Sequence, residues 1–394
     1  DAEVLYGIRG IKRTKGNNPK LTSEFHVTQR ALEFAYSLGI NRKTIKVIDA
    51  FHVRLRDHKR RDNLLPFEQS DYTALLEMRM AQYCHYLNKQ SIMLKTSDEE
   101  GEGIVEYGLS GTKIHLHRNF KDWSNNDDVK TEFDKLFMDT NEPNFLFGGR
   151  SGSYWMSSEE GKRENRPTIL INGNKTGRAD FPCSHLNILY KHETNQWFQT
   201  LTRKELEEEN RIKEDGYKTN LPVPRPFIKH MVQLMLNIKG RASVSREFNA
   251  WVYRKNYKWI PVKPKPKSIL ARHKKKVIDE DNVAHPINMK LWKTLVKQGL
   301  TPLILMEAIE ERHEPIKDYF YKGKLAGQII QWVEANLIHN IAVDFMKQDI
   351  PCLTVYDELI VEEQHLPMVK EFMYSSGHCD ICNEHSLLSQ IKDL

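Results

Sequence analysis

Cys352-Leu-Thr-Val-Tyr356-Asp357-Glu358-Leu-Ile-Val361 sets two short apolar runs around a pair of adjacent carboxylates. Runs of this length and make-up read as strands, Cys352–Val355 and Leu359–Val361, with the acidic pair at a hairpin tip. Two carboxylates at a tip are, by themselves, ordinary turn chemistry. The segment before them carries Ile330, Val333, Leu337, Ile341 and Phe345 at spacings of three and four, which predicts a helix from about Ala326 to Gln348 with a buried stripe. Asp349-Ile350-Pro351 ends it.

Moving toward the N-terminus, Pro167-Thr-Ile-Leu-Ile-Asn172 is β-branched and apolar, and Asn172-Gly173 is a hairpin-turn signal. Asp180 follows, just before an apolar helical stretch, Leu186–Tyr190. It reads either as a helix N-cap or as a side chain reaching a cleft from a strand-to-helix junction. Gly148-Gly149-Arg150 reads as a tight turn. Pro222-Val-Pro-Arg-Pro226 is a break before a patterned helix. On that helix Arg225, Lys229, Gln233 and Asn237 share one face, and Ile228, Met231, Val232, Met235 and Ile238 the other. The cationic face is either a solvated surface or a site for a polyphosphate, which an Arg can grip bidentately and a Lys meets as a point charge. Helices are also expected near Asn288–Gln298 and Pro302–Arg312.

The first hundred residues read as helical: one helix capped at Thr22 or Ser23, one from Asn41 into the basic Arg54–Arg61 run, and one over Tyr72–Leu87. Ile104–Leu116 alternates like strands around Gly111. From Pro261 to Lys276, prolines alternate with lysines in an extended, solvated linker or loop.

The 394 residues allow two or three domains. Lys and Arg number 59 against 53 Asp and Glu, so the net charge of +6 permits a polyanionic partner without requiring one. No apolar run is long enough for a membrane helix. The start, Asp1-Ala-Glu-Val4, has no leader pattern and no initiator methionine, as expected of a trimmed chain. Five scattered cysteines make no disulfide framework and point to a reducing, cytoplasmic setting. Cys379 and Cys382 with His385 form half of a zinc motif, which needs a fourth ligand from elsewhere. Asp180 and Asp357 suit a divalent metal site only if the fold unites them, because paired carboxylates repel unless a cation sits between them.

Arg225-Pro-Phe-Ile-Lys229 resembles the Arg-x3-Lys fingers helix of the single-subunit nucleic-acid polymerases, the group of family A DNA polymerases and phage-type RNA polymerases. Asp180-Phe-Pro-Cys-Ser-His185-Leu looks like their first palm motif, and Leu353-Thr-Val-Tyr356-Asp357-Glu358-Leu-Ile like their palm hairpin. Gly149-Arg150 resembles their upstream Thr-Gly-Arg element. The motifs also run in that group's order. The block from Phe147 to Val361, about half the chain, looks like a compact branch encoded by phages and mobile elements. Three positions depart from the pattern: Tyr356 replaces His, Asn237 stands where Tyr is usual, and Phe181-Pro182 replaces a small or Ser-bearing pair.

The resemblance implies an α+β chain of right-hand architecture, with an antiparallel-sheet palm and helical fingers. Its parts would be a mainly helical, thumb-like or template-binding module over residues 1–135, palm over 136–221, fingers with the basic loop over 222–285, and palm and tail over 286–394. It implies Asp180 and Asp357 as ligands of two Mg²⁺ ions, replaceable by Mn²⁺, with Glu358 as an accessory carboxylate. Arg225, Lys229, Gln233 and His185 would meet the incoming nucleoside triphosphate. Arg150, Lys263, Lys265, Lys267 and Arg272 would hold the backbone of a DNA template and primer. His185, bulky at its position, and the Asp-Glu pair lean toward deoxynucleotides. The expected activity is DNA-templated DNA synthesis in the cytoplasm of a bacterial or phage-infected cell. The alternatives are a single-subunit RNA polymerase or primase, a metal-dependent nuclease using the same carboxylates, and a non-catalytic replication protein that binds nucleic acid.

Overall fold

The computed structural model of the chain describes residues 11–14, 24–27, 52–58, 64–98, 101–109, 111–124, 126, 129–136, 143–152, 155, 166–181, 183–198, 216–253, 257–261, 274–278, 284–374 and 386–393. The protein is α+β, built on antiparallel sheets with a single parallel pair among the described strands. Contacts divide it into two units, Asp1–Phe51 and His52–Leu394. In the first, β1 (Ile11–Thr14) and β2 (Glu24–Val27) pair antiparallel, with Ile11 opposite Val27.

The second unit begins with β3 (Val53–Asp57) and β4 (Leu64–Leu65), then α1 (Asp71–Leu87), β5 (Ser91–Asp98), β6 (Gly101–Gly108), β7 (His117–Asp122) and α2 (Lys130–Leu136). It continues with β8 (Gly148–Gly152), β9 (Leu170–Ile171), β10 (Asn174–Asp180), α3 (Ser184–Thr194), α4 (Arg225–Asn237) and α5 (Arg241–Val252). Next come β11 (Tyr257–Pro261), β12 (Lys274–Ile278), α6 (Ala284–Lys297), α7 (Pro302–Arg312) and α8 (Lys324–Lys347). The hairpin strands β13 (Cys352–Val355) and β14 (Glu358–Glu362) precede α9 (Leu366–Tyr374) and α10 (Ser386–Gln390).

Six strands form one sheet in the order β13-β14-β10-β9-β5-β6, all antiparallel. Asn172 and Gly173 both have positive φ, 52° and 80°, and close the β9–β10 hairpin as a two-residue turn of the kind expected from Asn-Gly. A second sheet, β4-β3-β7-β8, contains the parallel pair β3–β7. The hairpin strands β13 and β14 are buried at every position, which is why they read as continuous apolar runs rather than alternating ones. Helix α8 packs against β8, β13, α3 and α4. The stripe Ile330, Val333, Leu337, Ile341 and Phe345 is buried as expected. So are Ile329, Trp332, Glu334, Ile338, His339 and Ala342, so the helix is enclosed on more than one side.

Several expectations change. Over residues 1–135, seven of the nine described strands and helices are strands, and α1 matches the helix expected over Tyr72–Leu87; the helices expected through Ala31–Leu38 and from Asn41 lie, up to residue 51, outside the described residues. Val53 and Leu55 alternate with Arg54 and Arg56, so the basic run opens as a strand with its apolar residues turned to the core. Glu24–Val27, placed at the start of a helix by its cap signal, is also a strand. A boundary at 135 cuts the pairing of β7 with β8. Gly148-Gly149-Arg150 is not a tight turn but the start of β8. There Phe120 faces Gly148 and Asn119 faces Arg150, leaving Gly149 as the extra residue of a bulge. Gly149 has φ 73°, and a Cβ there would lie 2.7 Å from Arg118 Nη2, so both the conformation and the space call for glycine. The ends of the Pro-Lys segment pair as β11 and β12, with Pro261 opposite Lys274.

Candidate active site

Asp180 is the last residue of β10, and the N-cap of α3 is Cys183, so Asp180 does not cap that helix. In the antiparallel register it lies directly opposite Glu358, and Phe181 donates its backbone N–H to the Asp357 carbonyl at 2.9 Å. Directly opposed residues project to the same face of a sheet. Gly177, three positions earlier, faces the other way, against Leu366 of α9. Tyr356 and Asp357 form the two-residue turn between Val355 and Glu358, with Tyr356 at φ 53°. The pairing thus gathers Asp180, Asp357 and Glu358 at one end of the six-stranded sheet. Asp180 is exposed, Asp357 half-buried and Glu358 buried.

Helix α8 brings a fourth carboxylate to this end. Glu334 is 1% exposed and holds three partners from two other segments. Arg150 donates to its Oε2 from Nε at 2.9 Å and from Nη2. Ser184 donates its hydroxyl to Oε1, and His185 Nε2 approaches the same oxygen at 3.3 Å. Burial alone would raise the Glu334 pKa, but His185, Arg150 and Ser184 outweigh it and bring it to about 2. The same groups reach the hairpin tip. Ser184 Oγ lies 3.4 Å from Asp357 Oδ2, and the Arg150 guanidinium stands 5.2 Å from the centre of the Tyr356 ring.

Asp357 has its pKa raised, first by burial and then by the like charges of Glu334 and Asp180. Glu358 is also raised, chiefly by burial, against the pull of Arg178, whose guanidinium is 3.6 Å away. The other oxygen of Glu358, Oε1, is buried without a hydrogen-bond partner among the described residues. Mutually repelling carboxylates with a spare buried oxygen suit a divalent cation. Among the described residues no three His, Cys, Asp or Glu side chains close a metal cage by themselves. That still fits Mg²⁺, which takes one or two carboxylates and fills its remaining positions with water and phosphate oxygens.

The cationic helix joins the same region through one aromatic residue. Arg225, Lys229 and Gln233 are exposed along α4, while Phe227, Ile228, Met231, Val232 and Met235 are buried beneath them. Arg225 Cζ and Lys229 Nζ converge over the ring of Tyr217, at 5.0 and 5.8 Å. The next residue back, Gly216, packs so closely on Cys183 that an added Cβ would lie 3.0 Å from its sulfur. Cys183 is three residues past Asp180, so this contact ties the start of the cationic helix to the strand end that carries the carboxylate. Tyr217, Arg225 and Ile228 line a cleft of about 460 Å³.

Arg150, expected to hold nucleic acid, is engaged by Glu334 and Tyr356 within the protein, with 29% of its side chain exposed. Asn237 packs against α8, where a Cβ on Gly327 would lie 2.0 Å from its Oδ1. Lys263, Lys265, Lys267, Arg272, Cys379, Cys382 and His385 lie outside the described residues. Glu334, Ser184 and Tyr217 were not foreseen. The one available signal was a lone carboxylate inside the otherwise uncharged stretch Leu325–Val343. No helix among the described residues is long and apolar enough to cross a membrane. No protein-family model matches the chain, and no curated protein or solved structure does either.

Proposed function

We propose that the chain is a template-directed nucleotidyltransferase, a DNA polymerase of the family A-like type with a palm-and-fingers arrangement, of the compact kind carried by phages and mobile elements. The observation that carries the reading is the β10–β14 register, which sets Asp180 opposite Glu358 and beside Asp357 although the two motifs are far apart in sequence. The exposed Arg225–Lys229 face, joined to the same sheet end through Tyr217 and Gly216, supports it.

In this reading Asp180 and Asp357 hold divalent cations, with Glu358 as an accessory carboxylate. The bound ions would supply a lowered pKa for a primer 3′-hydroxyl and counter-charge for the pyrophosphate leaving group. Lys229 and Arg225 bind the triphosphate and stabilise negative charge as it develops there. Gln233 extends the same face, and His185, 23% exposed, borders the nucleotide. Phosphate contacts from the basic segments fix the duplex without reading its sequence.

A primer-extension assay with purified protein and Mg²⁺, comparing dNTPs with NTPs on DNA and RNA templates, tests the reading. Extension of a DNA primer by dNTPs is the expected result. Degradation of the strands without added nucleotides would favour a nuclease, and no product under any combination would favour a binding protein.

A further inference from the structure

Glu334 is a fully buried carboxylate in the middle of α8, yet its partners lie on other segments and lead to one place. One oxygen takes the Arg150 guanidinium, which lies over Tyr356. The other takes the Ser184 hydroxyl, which lies 3.4 Å from Asp357. Tyr356 and Asp357 are the whole of the β13–β14 turn. The two arms therefore end on the two residues of a single turn, one of which holds a left-handed backbone without being glycine. The Gly148-Gly149 bulge lies immediately before Arg150 in β8 and sets the register from which it reaches Glu334.

We infer that Glu334 is a positioning residue that braces the Tyr356–Asp357 turn, through Arg150 on one side and Ser184 on the other, and so fixes the carboxylate of Asp357. It is not a metal ligand in this role, since Arg150 and Ser184 already occupy its two oxygens. The catalytic consequence, but not the brace itself, rests on the polymerase reading above.

The test uses the full chain and Glu334→Gln, which keeps the shape and removes the charge. Backbone amide exchange in a peptide covering residues 355–359 should speed up by about tenfold, with exchange in β5 unchanged, because the opening is local. Calorimetric titration with Mn²⁺ should show binding weakened about fivefold, and kcat for incorporation should fall about tenfold with nucleotide KM held within about twofold. Ser184→Ala removes one arm, leaves the Arg150 pair whole, and should give a smaller change of the same kind. It serves as the test if Glu334→Gln does not fold. Unchanged exchange at the turn in the folded variants overturns the brace, even with an active wild type. A wild type that neither binds Mn²⁺ nor extends a primer overturns the polymerase reading instead, and the exchange rates still decide on the brace.

Discussion

Around Asp357, charge is buried and interlocked; along α4 it is exposed and separable. Glu334 sits 1% exposed with three partners, and its presence shifts the titration of Asp357. Arg225 and Lys229 both lie over the ring of Tyr217, and both are exposed. Groups that share partners couple their energetics, while exposed charges act nearly independently and are screened by salt. The carboxylate end should therefore answer to pH and fail as a unit. The cation end should answer to ionic strength and fail by degrees.

The largest effect belongs to the carboxylates. Asp180→Ala and Asp357→Ala should each abolish Mg²⁺-dependent incorporation, a loss of about a thousandfold or more, while primer-template binding survives. Full activity in either variant, measured by primer extension beside a gel-shift assay, would break the comparison at its root.

Next comes stability. Glu334→Ala leaves Arg150 without its counter-charge and should cost about 3 kcal/mol in denaturant unfolding, the scale for breaking a buried pair. The pH dependence has a definite sign. The folded-state pKa of Glu334 is about 2, below its ordinary 4.5, so its ionisation favours the folded state. The advantage of the wild type over Glu334→Gln should be full above pH 4.5 and disappear as pH falls through about 2. A stability difference that did not change across this interval would show that the charge of Glu334 is not what its partners recognise.

The smallest effect is expected on α4. Lys229→Ala should raise nucleotide KM about tenfold, with a dependence on salt and little change in primer-template affinity. A loss of primer-template affinity at constant KM would move Lys229 from the nucleotide to the duplex.

Local signals in the sequence specify structure that is also local. Thr301 accepts from the Ile304 N–H at 3.2 Å, and Pro302 begins α7, which ends at Arg312 as expected. Asn172-Gly173 turns a hairpin, and Pro224 and Pro226 frame the start of α4. At Val53–Asp57 the alternation is only two apolar residues long and is set among charges, so its strand carries too weak a signal to separate it from a helix. The β10–β14 pairing was not legible, because no spacing can show which distant strands become neighbours. Glu334 escaped notice for a related reason. Its meaning lies in Arg150, Ser184 and His185, none of which is near it in sequence, and helical periodicity records only that Ile330, Val333 and Leu337 share a stripe.

The β10–β14 register also sets a schedule for synthesis. When the ribosome has made Asp180, β10 can pair with β9 on one edge, but its other edge waits for a strand that ends at Glu362. At a translation rate of roughly 5–20 residues per second, that edge stays open for about ten seconds or longer. For most of this interval the nascent chain holds Asp180 without Asp357, and so lacks the assembled carboxylate cluster. An open strand edge is also a template for pairing with another chain. The open edge and the incomplete carboxylate cluster end together, when β14 docks.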